Sequence, residues 1–310
     1  MTMREFLLER YAPLRGLSDR SIELFGETID RVQEFLGREP VLEDFTDLAM
    51  AKYLRWRSIT PCRGRIPAPA TVAKDRCHLV ALANLAARKR LIPEFVDFPR
   101  LKVPKKAPRG YTVEEIATLI RNARHRCGTI GTVPAAWFWM TIIRAEWETG
   151  ERCGSLLRLR WPEVDLARRS FTLLGEHRKD RITTIERSIS AELAEWLRPH
   201  EKQGGLVWPW LDCRLETSFY TSFRMLCEKS GVTPRGTHGI RKSSGSYVKA
   251  AGGDATEHLG HANPRTTRDH YFDTRITGRT NALDYLPPLD LGPKPTPPDS
   301  SGQGPEKPAA

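Results

Sequence analysis

What this chain lacks narrows it before any motif is read. Its six cysteines (Cys62, Cys77, Cys127, Cys153, Cys213 and Cys227) form no Cys-x-x-Cys spacing. That argues against a zinc ribbon or a secreted disulfide scaffold, and free thiols in a reducing cytosol are expected. No segment approaches the roughly 18 uninterrupted apolar residues a spanning helix needs. The start, MTMREFLLERYAP, carries charges through its short apolar run and shows no cleavage-like site, so a soluble, cytoplasmic protein without membrane contact is expected. There is no heptad run, no internal repeat and no Gly-rich nucleotide loop, which leaves ATP or NAD use unsupported. Acidic residues are in deficit: 38 Asp+Glu against 49 Lys+Arg give a formal charge of +11, which favours a polyanionic partner.

At 310 residues the chain is long enough for two domains, each with its own core. Residues 1–92 read as helical. REFLLERYAP is followed by a Leu17-Ser18 cap before SIELFGETIDRVQEFLG, where Gly37 is the stop. A third helix is expected from about Leu42-Glu43 through EDFTDLAMAKYLRWR, and a fourth from Thr71 through VAKDRCHLVALANLAARKRLI. Between them ITPCRGRIPAPA is a loop presenting Arg63 and Arg65. From Arg88 to Arg109, eight basic residues face two acidic ones, and residues 93–109 read as a basic interdomain linker.

A second unit is expected over residues 110–286. Thr112 and Glu115 form a capping-box signature. AAWFWMTIIRAEWETG is apolar nearly all round and reads as a buried core helix stopped by Gly150. RSFTLLG and DRITTIE, flanking EHRK, read as a small β-hairpin. SAELAEWLRPH, TSFYTSFRMLCEKSG and HGIRKSSGSYVKAAG return to helical period. Residues 287–310 are rich in Pro, Gly and Ser and are expected to be disordered.

The chemistry concentrates in HGIRKSSGSYVKAAGGDATEHLGHANPRTTRDHY, residues His238 to Tyr271. An arginine holds two phosphate oxygens in a fork, histidines move protons near neutral pH, and a tyrosine can act as a nucleophile that stays attached. His238 and Arg241 lie three residues apart on one helix, so both can face one phosphate. Gly260 turns His261 towards the same place.

This order, with the upstream run TGERCGSLLRLRWPEVD supplying Thr149, Gly150, Arg152, Leu159, Trp161 and Asp165, resembles the tyrosine recombinases, the phage-integrase-type site-specific recombinases, over most of the chain. The resemblance implies a mainly α fold with a small β-hairpin or sheet. It comprises an N-terminal four-helix, SAM-like core-binding domain and a C-terminal α+β catalytic domain. It implies a metal- and ATP-independent DNA strand transferase with no cofactor. Arg152 and Arg241 would clamp the non-bridging oxygens, His238 and His261 would assist, and Lys179 in the hairpin would protonate the leaving oxygen. Tyr271 would form the phosphotyrosyl bond. Its partners would be double-stranded DNA, a tetramer on paired sites, and an accessory DNA-bending or directionality factor, with the protein on the nucleoid.

The sequence departs from the family at four places. His261 to Tyr271 is ten residues, one more than usual, and His270 stands in the usual tyrosine place. Ser155 replaces a frequent Glu. The stretch from Arg241 to His261 is short, and an ungapped count puts Glu176 rather than Lys179 at the lysine position. Two rival readings therefore stay open: a cleavage-deficient DNA-binding accessory or regulatory protein of the same fold, and a type IB-like topoisomerase.

Overall fold

The computed structural model describes residues 1–104, 106–177 and 182–278. They are mainly α-helical with two small antiparallel sheets, in two compact units, Met1–Lys106 and one starting at Ala107.

The first unit opens with α1 (Met3–Phe6), a π-wound turn over Leu7–Tyr11 and α2 (Ala12–Arg15), followed by α3 (Asp19–Leu36), α4 (Asp47–Ile59) and α5 (Pro69–Arg88). Ser18 caps α3 and Gly37 ends it in the left-handed region, as the sequence signals imply. The helix expected from Leu42 starts later. The Asp44 carboxylate accepts from Val41 N at 2.8 Å and from Arg38, closing Leu42–Asp44 as a separate 3-10 turn. Thr46 is then free to cap α4 by accepting from Ala49 N; a hydroxyl there satisfies a donor the helix itself leaves open.

Phe6, Leu7, Ile29, Val32, Tyr53, Leu79 and Leu82 form this unit's core. A buried polar knot runs beside it: Arg57 Nε donates to Asp75 Oδ2 at 2.9 Å, and Thr28 Oγ1 lies 3.3 Å from Asp75 Oδ1 and 2.9 Å from His78 Nδ1. The start of the basic stretch packs on the same unit. Ile92 and Phe98 are buried in its core, and Arg76 donates to the carbonyls of Phe98 and Pro99. In the α4–α5 loop, Cys62 and Arg65 exchange backbone hydrogen bonds around Arg63 and Gly64, both at positive φ, so Arg63 sits at the tip of a tight turn.

The second unit contains α6 (Val113–Ala123), the two-stranded sheet β1 (Thr129–Ile130) and β2 (Val133–Pro134), α7 (Ala135–Thr149) and α8 (Cys153–Leu156). The sheet β3 (Val164–Asp165), β4 (Ser170–Leu173) and β5 (Ile185–Ser188) follows. Then come α9 (Ala191–Leu197), α10 (Glu216–Lys229), α11 (Thr237–Ala250), α12 (Ala255–Leu259), α13 (Pro264–His270) and α14 (Thr274–Thr277). The Thr112–Glu115 capping box is formed at the start of α6.

Helix α7 is the core helix its composition implies. Phe138, Trp139, Ile142 and Ile143 are buried with Trp208, Trp210, Phe219 and Phe223, and Trp139 stacks on Phe219 with ring centroids 5.0 Å apart. Each such side chain contributes roughly 1.5–3 kcal/mol through burial, so α7 is a firm base for the residues that follow it. The expected hairpin is present as antiparallel β4 and β5, in a register that sets Phe171 opposite Arg187, and β3 adds a third strand by pairing with β4. Among the described residues no helix is long and apolar enough to cross a membrane. The expected tail, 287–310, and the end of the second unit after residue 278 lie outside the described residues.

Candidate active site

Gly150 ends α7 at φ +61°, and a Cβ there would lie 2.6 Å from His258 Nε2. Glycine is therefore required both for the left-handed turn and for the close approach of the histidine. The turn delivers Glu151 and Arg152 to the site, and Arg152 is the residue preceding α8. Helix α11 brings Arg241 in from another direction, and the α12–α13 turn brings His261.

Arg241 has no exposed surface. Its Nη1 donates to the Gly150 carbonyl, and its Nη2 donates to the Leu259 carbonyl at 2.6 Å and lies 3.0 Å from His261 Nε2. Its Nε is buried without a partner among the described residues. Burial presses the guanidinium below its ordinary pKa while the Glu151 carboxylate opposes the shift; an arginine so placed still carries its charge. Because a guanidinium only donates, His261 Nε2 must accept. The ring proton therefore sits on Nδ1, which lies 2.7 Å from Thr267 Oγ1.

Tyr271 closes the cluster. Its ring centroid lies 4.4 Å from that of His261 and 5.1 Å from that of His238, and the Arg241 guanidinium carbon stands 5.6 Å from it. Tyr271 is 5% exposed, whereas His270, in the usual family place, is the last residue of α13 and points to solvent. Tyr271 rather than His270 thus meets the two histidines.

Arg152 is half-buried, and among the described residues its guanidinium makes no hydrogen bond or ion pair. Its charge reaches the cluster nonetheless. His238 is pushed down to about 4, first by desolvation and then by Lys242, Arg241 and Arg152, although the residue as a whole is exposed. His261 is also pushed down to about 4, by desolvation and then by Arg241, Arg152 and His238. Both imidazoles are neutral near pH 7. The structure thus brings Arg152, His238, Arg241, His261 and Tyr271 together, while Lys179 lies outside the described residues. Among the described residues no group of three or more His, Cys, Asp or Glu is placed to hold a metal ion.

Several supporting residues escaped the sequence reading. The serines of KSSGSY on α11 each tie down a different segment. Ser243 Oγ accepts from Tyr111 N, Ser244 Oγ lies 2.6 Å from His258 Nε2, and Ser246 Oγ accepts from Asp273 N while reaching the Tyr271 carbonyl at 3.1 Å. Asp273, fully buried, accepts from Gly110 N at 3.0 Å and from the Arg275 guanidinium. Although desolvation opposes it, hydrogen bonding from Arg275 and Gly110 holds this carboxyl down at about 2. A run of small polar residues on the helix carrying Arg241 was the available signal, since only short side chains let other segments approach that closely.

Solved structures share this architecture. A lambda integrase dimer bound to a COC′ core site is 18% identical, with 94% of this chain and 100% of that one covered at a TM-score of 0.68. A Tn1549 transposon integrase in complex with transposon right end DNA is 16% identical, with 92% and 99% covered at 0.68. A XerH site-specific recombinase bound to palindromic difH substrate is 16% identical, with 85% and 78% covered at 0.64. At such low identities the structural likeness shows a common fold and nothing further. No curated protein sequence matches the chain. The family model described as "Phage integrase family" matches residues 112–276, which is more than half of the chain and takes in all five assembled residues, so the chain belongs to the phage integrase family of tyrosine recombinases.

Proposed function

We propose that this protein is a site-specific DNA recombinase that cuts and rejoins double-stranded DNA through a 3′-phosphotyrosyl intermediate. The observation that carries the reading is the packing of Tyr271 against His238, His261 and Arg241, which puts a nucleophile, two neutral imidazoles and a buried guanidinium around one point.

The Tyr271 hydroxyl attacks the scissile phosphorus. Its proton passes to a neutral imidazole, for which His238 is the exposed candidate, as the Oη–P bond forms. Arg152 and Arg241 offset the charge growing on the two non-bridging oxygens, an effect stronger in the phosphorane than in bound DNA. The P–O5′ bond then breaks, and the departing oxygen takes a proton to leave a free 5′-hydroxyl. Lys179 is assigned that proton by resemblance. His261 can donate to the phosphate once Arg241 turns to an oxygen and the ring proton moves from Nδ1 to Nε2, with Thr267 Oγ1 then donating to Nδ1. The 5′-hydroxyl of a partner strand reverses the steps and releases the tyrosine.

The same reading makes residues 1–92 the core-binding domain, 93–109 the basic linker and 110–286 the catalytic domain. It adds a tetramer on paired sites, with an accessory factor setting direction. The XerH and lambda integrase structures bound to DNA support DNA as the partner, and a lambda integrase tetramer bound to a Holliday junction supports the tetramer. The decisive test is an SDS-resistant complex on nicked suicide fragments taken from DNA flanking the gene. A covalent band with wild type and none with Tyr271→Phe is expected. Specific, salt-sensitive binding without any covalent band would favour the accessory-protein reading instead.

A further inference from the structure

Glu151, between the Gly150 turn and Arg152, has no exposed surface, and a carboxylate withdrawn from water needs cations and N–H groups in its place. Its Oε1 accepts from Arg187 Nε at 3.2 Å and from Arg187 Nη2 at 3.0 Å. Its Oε2 accepts from Arg152 N at 3.3 Å and faces Arg241 Nη1 at 3.8 Å. Arg187 uses its remaining nitrogen on the Glu257 carbonyl at 3.3 Å. Two residues further along α12, the Leu259 carbonyl accepts from Arg241. The contacts form a closed circuit from Glu151 to Arg187, α12, Arg241 and back.

Every nitrogen of Arg187 is committed within this circuit, so unlike Arg152 it has no donor nitrogen without a partner to turn towards a phosphate. Its place on β5 opposite Phe171 fixes the sheet to the circuit. We propose that Glu151 is a positioning residue for the strand-transfer site: its carboxylate keys the β4–β5 sheet, through Arg187, to Arg152 and Arg241, and its charge restrains how tightly the site holds DNA. This rests on the recombinase reading above.

Two effects of opposite sign follow. Glu151→Gln keeps the shape but removes one negative charge beside the phosphate site, so DNA binding tightens and its salt dependence steepens by about one counterion. The same change loosens both arginines, and single-turnover formation of the covalent complex at saturating DNA slows by about 10²-fold, the scale expected for a misplaced reacting group. Arg187→Met slows cleavage similarly without tightening binding. The double variant is no slower than the slower single, because both break one circuit. A merely structural role would weaken binding and cleavage together, following the melting temperature.

The experiment measures binding, salt slope and cleavage rate for the full-length wild type and the three variants on one suicide fragment. Wild-type cleavage and binding by Glu151→Gln would overturn the proposal, as would additive losses in the double variant. Should wild type fail to form any covalent complex, the recombinase reading fails by itself. The circuit is then decided on DNA-free protein by ¹⁵N spectra of the histidine side chains. Wild type is expected to show His261 with its proton on Nδ1, and Glu151→Gln to shift both His258 and His261; unchanged spectra would overturn the circuit.

Discussion

Arg57 in the N-terminal unit and Arg241 in the catalytic unit are both buried beside a carboxylate, yet their other partners differ. Arg57 donates directly to Asp75, whose second oxygen is approached by Thr28 Oγ1 at 3.3 Å and Lys74 Nζ at 3.4 Å. That knot closes on itself inside a helical bundle. Arg241 is held chiefly by the carbonyls of Gly150 and Leu259, which orient a cation without neutralising it. The nearest carboxylate, Glu151, is nearer still to Arg187, and Arg152 has no acidic partner among the described residues. A matched pair gives rigidity, whereas a surplus of well-oriented positive charge leaves room for an anion from outside.

The contrast can be broken most severely at Arg241. Arg241→Lys keeps the charge but loses the planar fork, and covalent-complex formation is expected to fall by about 10²–10³-fold with DNA binding largely kept, as is usual when one oxyanion donor is lost. A retained rate would mean that the carbonyl-held geometry serves folding alone. In the closed knot the equivalent change should act on stability instead. Asp75→Asn leaves Arg57 buried without its counter-charge and should cost about 3 kcal/mol. Denaturant unfolding checks this, with cleavage per bound complex unchanged under folding conditions.

Acidification separates the units more gently. His238, His258 and His261 are pushed down to about 4, against roughly 6.5 for an unfolded imidazole. Between those values the unfolded chain binds more protons, so stability falls as pH drops from about 6.5 to about 4 and is then level until carboxylates titrate. The N-terminal unit has one histidine, His78, which is shifted the same way. Segment-resolved hydrogen exchange at pH 6.5 and 4.5, corrected for intrinsic rates, should therefore show the larger loss around α11 and α12. The smallest effect is expected at the capping box, where Thr112→Ala should lower stability by about 1 kcal/mol; thermal unfolding checks it.

Much of this was legible because the signals were local. Ser18, Gly37, Thr112 with Glu115, and Gly150 act on backbone groups a few residues away, and the chain order from Arg152 to Tyr271 carried the family resemblance. The start of α4 was misplaced because Asp44 had two uses, as a helix residue or as the closing group of its own turn, and the turn prevailed. Glu151 was not legible in the sequence because its partner Arg187 is 36 residues away. Asp273 was invisible for the same reason: the Gly110 amide it accepts from is 163 residues upstream. Tyr271 was chosen over His270 from its residue type, and it lies against His238 and His261 while His270 is exposed.

The backbone around Tyr271 is pinned on every side: its amide donates to Thr267, its carbonyl meets Ser246, and Asp273 two residues on is moored to Gly110. In the proposed reaction, a Tyr271 nucleophile fastened in this way travels only as far as rotation about its own side-chain bonds allows. Alignment for attack then falls to the duplex, which must bend or shift its scissile phosphate into place, so sequences that deform cheaply there gain a kinetic advantage even where no base is touched.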